Sequence, residues 1–266
     1  MRDTSSTTIA SSVSAVRTVL LVLFSLASLL RAQSLDKLPL LRVLELRGRT
    51  FHVQGIETGG NRLWVTSVDR PTQTGYLHEF DSTTGQLIRE VRLQDGLRFH
   101  PGGIAGTGDA LWIPIAEYRA KSTSIIQRRN KRTLAVEAQF AVDDHIGCIA
   151  VHDSGLIGGN WDTKELYFWD NKGKLIRKEA NPVRNAFQDI KVAAGMLVGS
   201  GLLPDGSGAI DWLDPVSLKP TRHLSVGKTD RGNVFTREGM TIQGDELMLL
   251  PEDEHSRLFV FRLTNR

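Results

Sequence analysis

Phe51-His52-Val53-Gln54-Gly55-Ile56-Glu57-Thr58-Gly59-Gly60-Asn61-Arg62-Leu63-Trp64-Val65 is a β-rich run, a Gly/Asn turn and a second β-rich run. That order is the hairpin signal. It returns four times. An aliphatic anchor is followed eight positions later by another apolar residue in the pairs Ile56 and Trp64, Ile104 and Trp112, Ile149 and Ile157, Ile190 and Val198, and Met240 and Met248. A second hairpin follows in the first four units, as in Leu166-Tyr167-Phe168-Trp169 turning at Asp170-Asn171-Lys172-Gly173 into Leu175-Ile176-Arg177. Four strands in roughly 40–50 residues is the size of a propeller blade.

The chain therefore reads as all-β, a five-bladed β-propeller, with blades at about 51–93, 99–142, 144–180, 185–226 and 235–263. The fifth unit stops after Arg257-Leu258-Phe259-Val260-Phe261-Arg262-Leu263, which leaves an unpaired edge. The alternating segment at 40–46, Leu40-Leu41-Arg42-Val43-Leu44-Glu45-Leu46, has no hairpin partner of its own and is expected to supply the fourth strand and close the ring.

Upstream, Thr18 to Leu30 is a short apolar run behind Arg2 and Arg17, closed by Arg31-Ala32. It makes about 20 Å of helix against a hydrocarbon core of roughly 30 Å. A charged lead, a short apolar core and a small terminal residue mark an export signal over 1–32, with one propeller domain over 33–266. A periplasmic or extracellular protein follows, monomeric and free of the membrane once the signal is cleaved. An uncleaved anchor is the other reading of this segment.

Composition narrows the function classes. The 266 residues are 40% hydrophobic and 24% charged, with a net charge of +3 and basic residues scattered along the chain, which argues against nucleic acid. A single cysteine excludes an internal disulfide and a zinc–thiolate cluster. Cys148 is expected to pack the channel.

In a propeller the first strand of each blade lines the channel, and the loop after the second strand opens on the same face. Four residues before the anchors stand His52, His100, His145, Ala186 and Thr236. Two before stand Gln54, Gly102, Gly147, Gln188 and Glu238, and one before stand Gly55, Gly103, Cys148, Asp189 and Gly239. The second-strand loops carry Asp69-Arg70, Glu117-Tyr118-Arg119, Asn160-Trp161-Asp162 and Glu252-Asp253-Glu254-His255. The histidine column reads either as inherited blade architecture or as a ligand-facing set. The candidate binding residues are His52, Gln54, His100, His145, Asn160, Trp161, Gln188, Arg237 and Glu252, with Glu238 and Asp189 as candidate catalytic carboxylates. A small molecule or peptide in this polar funnel is the expected partner.

Three resemblances add to this. Phe99-His100-Pro101-Gly102-Gly103, Asp144-His145-Ile146-Gly147, Gly159-Asn160-Trp161, Phe187-Gln188-Asp189 and Pro251-Glu252-Asp253 resemble an uncharacterised family of exported bacterial propellers, which brings no activity with it. More distantly, Phe51-His52-Val53-Gln54-Gly55-Ile56 resembles the first blade of five-bladed glutaminyl cyclotransferases. The acidic residue of those enzymes falls near Val65, however, and His145-Ile146-Gly147-Cys148-Ile149 replaces their Glu-Gly-Trp-Gly-Leu. Glu238-Gly239, Asn160 and Asp189 are similar to the calcium set of six-bladed lactonases and phosphotriesterases. That resemblance implies a calcium cofactor polarising an ester or phosphoryl oxygen while a carboxylate orients water.

Overall fold

A computed structural model describes Met1, residues 33–153 and residues 155–263. Apart from Met1, the expected export segment at 1–32 lies outside the described residues. Among the described residues no helix is long and apolar enough to cross a membrane.

Five antiparallel sheets follow one another around an axis. Blade 1 is His52–Gly59, Arg62–Asp69, Thr74–Asp81 and Leu87–Leu93. Blade 3 is Ile146–His152, Gly155–Asn160, Glu165–Asp170 and Leu175–Ala180, and blade 4 is Ala186–Ala193, Met196–Leu202, Gly208–Leu213 and Pro220–Val226. Blade 5 consists of Gly239–Gln243, Glu246–Leu250 and Arg257–Arg262, and Leu40–Glu45 pairs antiparallel with its third strand. The innermost strand of blade 5 lies against that of blade 1.

Blade 2 departs from the regular plan. Its innermost strand is split into His100–Pro101 and Ala105–Thr107, both paired with Ala110–Ala116 and followed by Ser124–Asn130 and Val136–Val142. The break falls at Gly102-Gly103: the Gly102 N–H still donates to the Pro114 carbonyl of its own blade, but Gly103 bonds the next blade instead. The Gly103 N–H donates to the Gly147 carbonyl at 2.9 Å, and the Ile149 N–H donates to the Gly103 carbonyl at 3.2 Å. Only glycine permits this approach, because a Cβ on Gly102 would overlap the Gly147 carbonyl.

Hydrophobic packing sits between the blades. Val53, Ile56 and Leu63 of blade 1 meet Met248, Leu250 and Val260 of blade 5, and comparable clusters fill the other four seams. Each fully buried Leu, Ile or Phe contributes about 1.5–3 kcal/mol. A two-residue strand absent from the repeat pattern, Gln33–Ser34, adds in parallel to the outer edge of blade 4. Leu35 and Leu38 then bury themselves in the seam between blades 4 and 5. Turn chemistry is local: the Asp81 carboxylate accepts the Thr83 and Thr84 N–H groups, and Asp170 accepts those of Lys172 and Lys174.

Candidate functional site

Three innermost strands share one irregularity. The pairing register shifts between Val53 and Gly55, between Ile146 and Cys148, and between Phe187 and Asp189. The bulged residues are therefore Gln54, Gly147 and Gln188, all two positions before the repeat anchor. A bulge inserts one residue against the partner strand and re-aims a side chain out of the alternation. Gln54, Gly147, Gln188 and their blade 5 counterpart Glu238 all line one cavity of about 310 Å³ at the start of the innermost strands. That volume lies at the lower end for ligand pockets.

The second-strand loops complete the wall with Arg70, Tyr118, Asn160 and Trp161. His52, His100, His145 and Arg237 also line the cavity.

One side is a wall of rings. His100 meets Tyr118 edge-on at 4.3 Å and His145 at 5.3 Å, and His145 meets Trp161 edge-on at 4.6 Å. Burial, with smaller contributions from the charges of His145, His52 and Arg70, holds His100 well below the usual imidazole range. Burial also lowers His145, partly offset by its bond to the Arg119 carbonyl. That bond, 2.9 Å from Nδ1, puts the His145 proton on Nδ1 and leaves Nε2 as an acceptor.

The opposite side is ionic. His52 Nδ1 lies 3.0 Å from Asp253 Oδ1 and 3.8 Å from Glu238 Oε1. Arg237 reaches Glu238 at 3.2 Å and Asp253 at 3.4 Å. Glu238 is 4% exposed, and burial pushes its carboxyl well above the usual range despite the Arg237 charge. Asp253 moves the other way: burial opposes ionisation, but the bond from His52 and the charges of His52 and Arg237 outweigh it. Two neighbouring carboxyls are thus pushed apart, one toward the acid form and one toward the carboxylate.

Two expected site residues sit elsewhere. Asp189 does not line the cavity. It is fully buried beneath it, in the column one before the anchor where the other blades have Gly55, Gly103, Cys148 and Gly239. Its Oδ2 accepts the Ile56 and Met240 N–H groups at 3.1 Å each, and Oδ1 accepts Ile190 N–H at 2.9 Å and Lys191 Nζ at 2.6 Å. Asp189 therefore ties blades 1, 4 and 5 together at the axis. Burial pushes it up to about 6, with Lys191 opposing. Glu252 is also buried and is held by Arg231 at 3.0 Å and by Arg257 at 2.6 Å, which anchor the loop that carries Asp253. The grouping of Glu238, Asp189 and Asn160 around one ion does not form. Asp189 is saturated by its four donors, and the Asn160 amide is engaged by Asp144 and by Glu165 N–H. The cluster with metal-ligand spacing among the described residues is His52, Glu238 and Asp253, whose ligand atoms lie within 4.8 Å of one another.

Two further groups are chemically quiet. Burial, with the nearby Asp189 charge, pushes the Cys148 thiol up to about 12, which leaves it unreactive. Ser67, His78 and Glu90 have the order of a hydrolytic triad, with Ser67 Oγ 2.8 Å from His78 Nε2 and Glu90 3.2 Å from Nδ1. Neither Ser67 nor His78 has exposed surface, so no substrate reaches the hydroxyl. Burial drives His78 down to about 4.

A family model described as a family of unknown function, DUF6454, matches residues 41–193, more than half of the chain, and the chain belongs to that family. Among solved structures, Myxococcus xanthus glutaminyl cyclase is similar with a TM-score of 0.66 at 13% identity, over 85% of this chain and 97% of that one. BamB from Moraxella catarrhalis has a TM-score of 0.44 at 11% identity, over 80% of this chain and 84% of that one. Comparison with curated proteins found no match. At such identity the likeness to glutaminyl cyclase is one of fold.

Proposed function

We propose that this member of the DUF6454 family is an exported, monomeric five-bladed propeller that binds a small molecule or peptide in its funnel. It needs neither nucleic acid nor a membrane. The observation that carries the reading is the bulge column: Gln54, Gly147 and Gln188 are turned out of register toward the cavity that Glu238 also lines. Bulges cost ladder hydrogen bonds, and three at one repeat position favour a shared purpose over local accident. Export rests on the segment at 18–32.

The test is a screen of sugars, peptides and small acids by melting temperature, followed by calorimetry. Quenching of Trp161, compared with a Trp161→Phe variant, reports occupancy of the cavity itself. A panel without one stabilising compound counts against the binding reading.

Catalysis is the second reading, favoured by the Glu238 carboxyl that burial pushes toward its acid form beside His52 and Asp253. A metal-assisted hydrolase or lactonase would hold its ion on His52, Glu238 and Asp253. One imidazole with two carboxylates suits zinc or manganese better than calcium, which takes oxygen ligands. Arg237, 3.2 Å from Glu238 and 3.4 Å from Asp253, already supplies a positive charge there and would have to move. Metal content by mass spectrometry, with melting curves in chelator, decides this reading. A stoichiometric ion whose removal lowers the melting point supports it, and a metal-free protein indifferent to chelator excludes it.

A further inference from the structure

The side chains lining the funnel fall into two sets, those already bonded to protein and those that are not. His52 is bonded to Asp253, His145 to the Arg119 carbonyl, Asn160 to Asp144, and Arg237 to Asn233 and Asp253. Among the described residues five lining side chains have no hydrogen bond or ion pair from their polar atoms: Arg70, His100 and Gln188, with the Tyr118 hydroxyl and the Trp161 indole N–H. The Arg70 guanidinium is exposed and sits 5.5 Å over the Tyr118 ring. His100 is 8% exposed, and its Nδ1 is buried without a partner.

These groups define a complement. A guanidinium offers donors only, in a fork that fits a carboxylate. A primary amide offers a donor and an acceptor, which suits a ligand amide or carbonyl. The contiguous Tyr118, His100, His145 and Trp161 rings offer edges and faces to a flat partner. The acids nearby are engaged elsewhere: Glu238, on which the Arg70 charge also acts, is paired with Arg237 at 3.2 Å. Asp253 is bonded to His52 and Arg237, and Asp162 lies 3.8 Å from Lys164.

We propose that the funnel takes a compact carboxylate bearing a planar ring and a neighbouring amide or carbonyl, with the carboxylate on Arg70, the ring along the Tyr118–Trp161 wall and the amide on Gln188. This rests on the binding reading above and adds the ligand class to it. A free ring-bearing acid and the C-terminal aromatic residue of a peptide share this chemistry.

Calorimetry with four probes tests it: N-acetylphenylalanine, its carboxamide, N-acetylalanine and the tripeptide Gly-Gly-Phe. The acid binds at least ~10-fold tighter than its carboxamide, because a charge-assisted contact is lost in the amide. N-acetylalanine is weaker than N-acetylphenylalanine by a similar factor. The exposed Arg70→Gln variant keeps the wild-type melting point, and in it acid and carboxamide bind alike. Gly-Gly-Phe binding as tightly as N-acetylphenylalanine identifies a peptide tail as the source, and weak tripeptide binding identifies a free acid. Equal binding of acid and carboxamide to the wild type overturns the proposed class while leaving a funnel binder. Binding of other screened compounds with none of the ring-bearing acids does the same. No binding by any compound of the wider screen fails the underlying reading.

Discussion

The mouth of the channel and its throat are built from the same innermost strands, one residue apart, and they do opposite things with polar groups. At the mouth, His100 and Gln188, joined by Arg70 from a second-strand loop, keep hydrogen-bonding capacity in reserve around a cavity of about 310 Å³. At the throat, Asp189 accepts from Ile56, Met240, Ile190 and Lys191 and has nothing left to offer. A polar residue on an inner strand is therefore no sign of chemistry by itself. What separates ligand-facing groups from structural ones is whether the protein has already satisfied them.

The sharpest way to break this contrast is Asp189→Ala. It takes the acceptor from three inner-strand amides and leaves the buried Lys191 ammonium with the Ile190 carbonyl but no counter-charge, and removing one member of a buried ion pair costs about 3–5 kcal/mol. The melting temperature falls by roughly 10 °C, given about 2–4 °C per kcal/mol for a chain of this size. A variant melting within a degree or two of wild type would mean that the throat is not held by this carboxylate.

Acid titration comes next. The native pKa of His78 is about 4 against an ordinary 6.5, so its stabilising contribution is complete above pH 6.5 and is lost as pH falls toward 4. The loss amounts to about 3 kcal/mol, seen as a falling urea midpoint. His100 and His145, also lowered, act with the same sign. Asp189 acts with the opposite sign: its pKa is raised to about 6, so its contribution is present at low pH and lost as pH rises through 6. Asp189→Asn removes that counterweight, and its stability therefore drops more steeply than wild type between pH 6 and 4.

Two glycines at the same repeat position sharpen the comparison further. A Cβ on Gly102 would strike the Gly147 backbone, whereas one on Gly147 meets nothing nearer than 3.8 Å. Gly102→Ala loses about 1–3 kcal/mol in chemical denaturation, and Gly147→Ala stays within about 0.5 kcal/mol.

The smallest effect is at Glu238. Because burial pushes its carboxyl toward the acid form, which an amide matches in shape, Glu238→Gln changes stability by less than about 1 kcal/mol at mildly acid pH. The raised native pKa penalises wild type as pH climbs above the ordinary carboxylate range, so the variant gains relative to it as pH rises. A variant that loses ground as pH rises would show the carboxylate to be the favoured form.

Much of this was legible in the residues. Hairpin turns and apolar anchors at a regular interval give the blades, because each four-stranded sheet must repeat its own turn chemistry and buried face. Aligning the repeats also put His52, His100, His145, Gln54, Gln188 and Glu238 in the columns that line the funnel, with Trp161 from a second-strand loop. Asp189 differs between sequence expectation and structure for a physical reason. A carboxylate in an inner-strand column looks alike whether it faces solvent or backbone, and only the glycines that bring other blades within bonding distance of it decide which. Glu252 differs in the same way, since Arg231, 21 residues before it, and Arg257, five residues after it, close on its carboxylate. Asp253 and Arg70 stood in second-strand loops, but pairing one and leaving the other uncommitted depends on contacts across blades. The strand at Gln33–Ser34 is too short to leave a pattern.

The most direct measurement of the central claim uses Gly147→Leu, which fills the mouth without touching the throat. Wild type and variant are screened against the same compounds by melting temperature and calorimetry. The account predicts that the variant melts within a few degrees of wild type and no longer responds to the compounds that stabilise wild type. Undiminished binding by the blocked variant would contradict it, because the ligand would then lie outside the funnel.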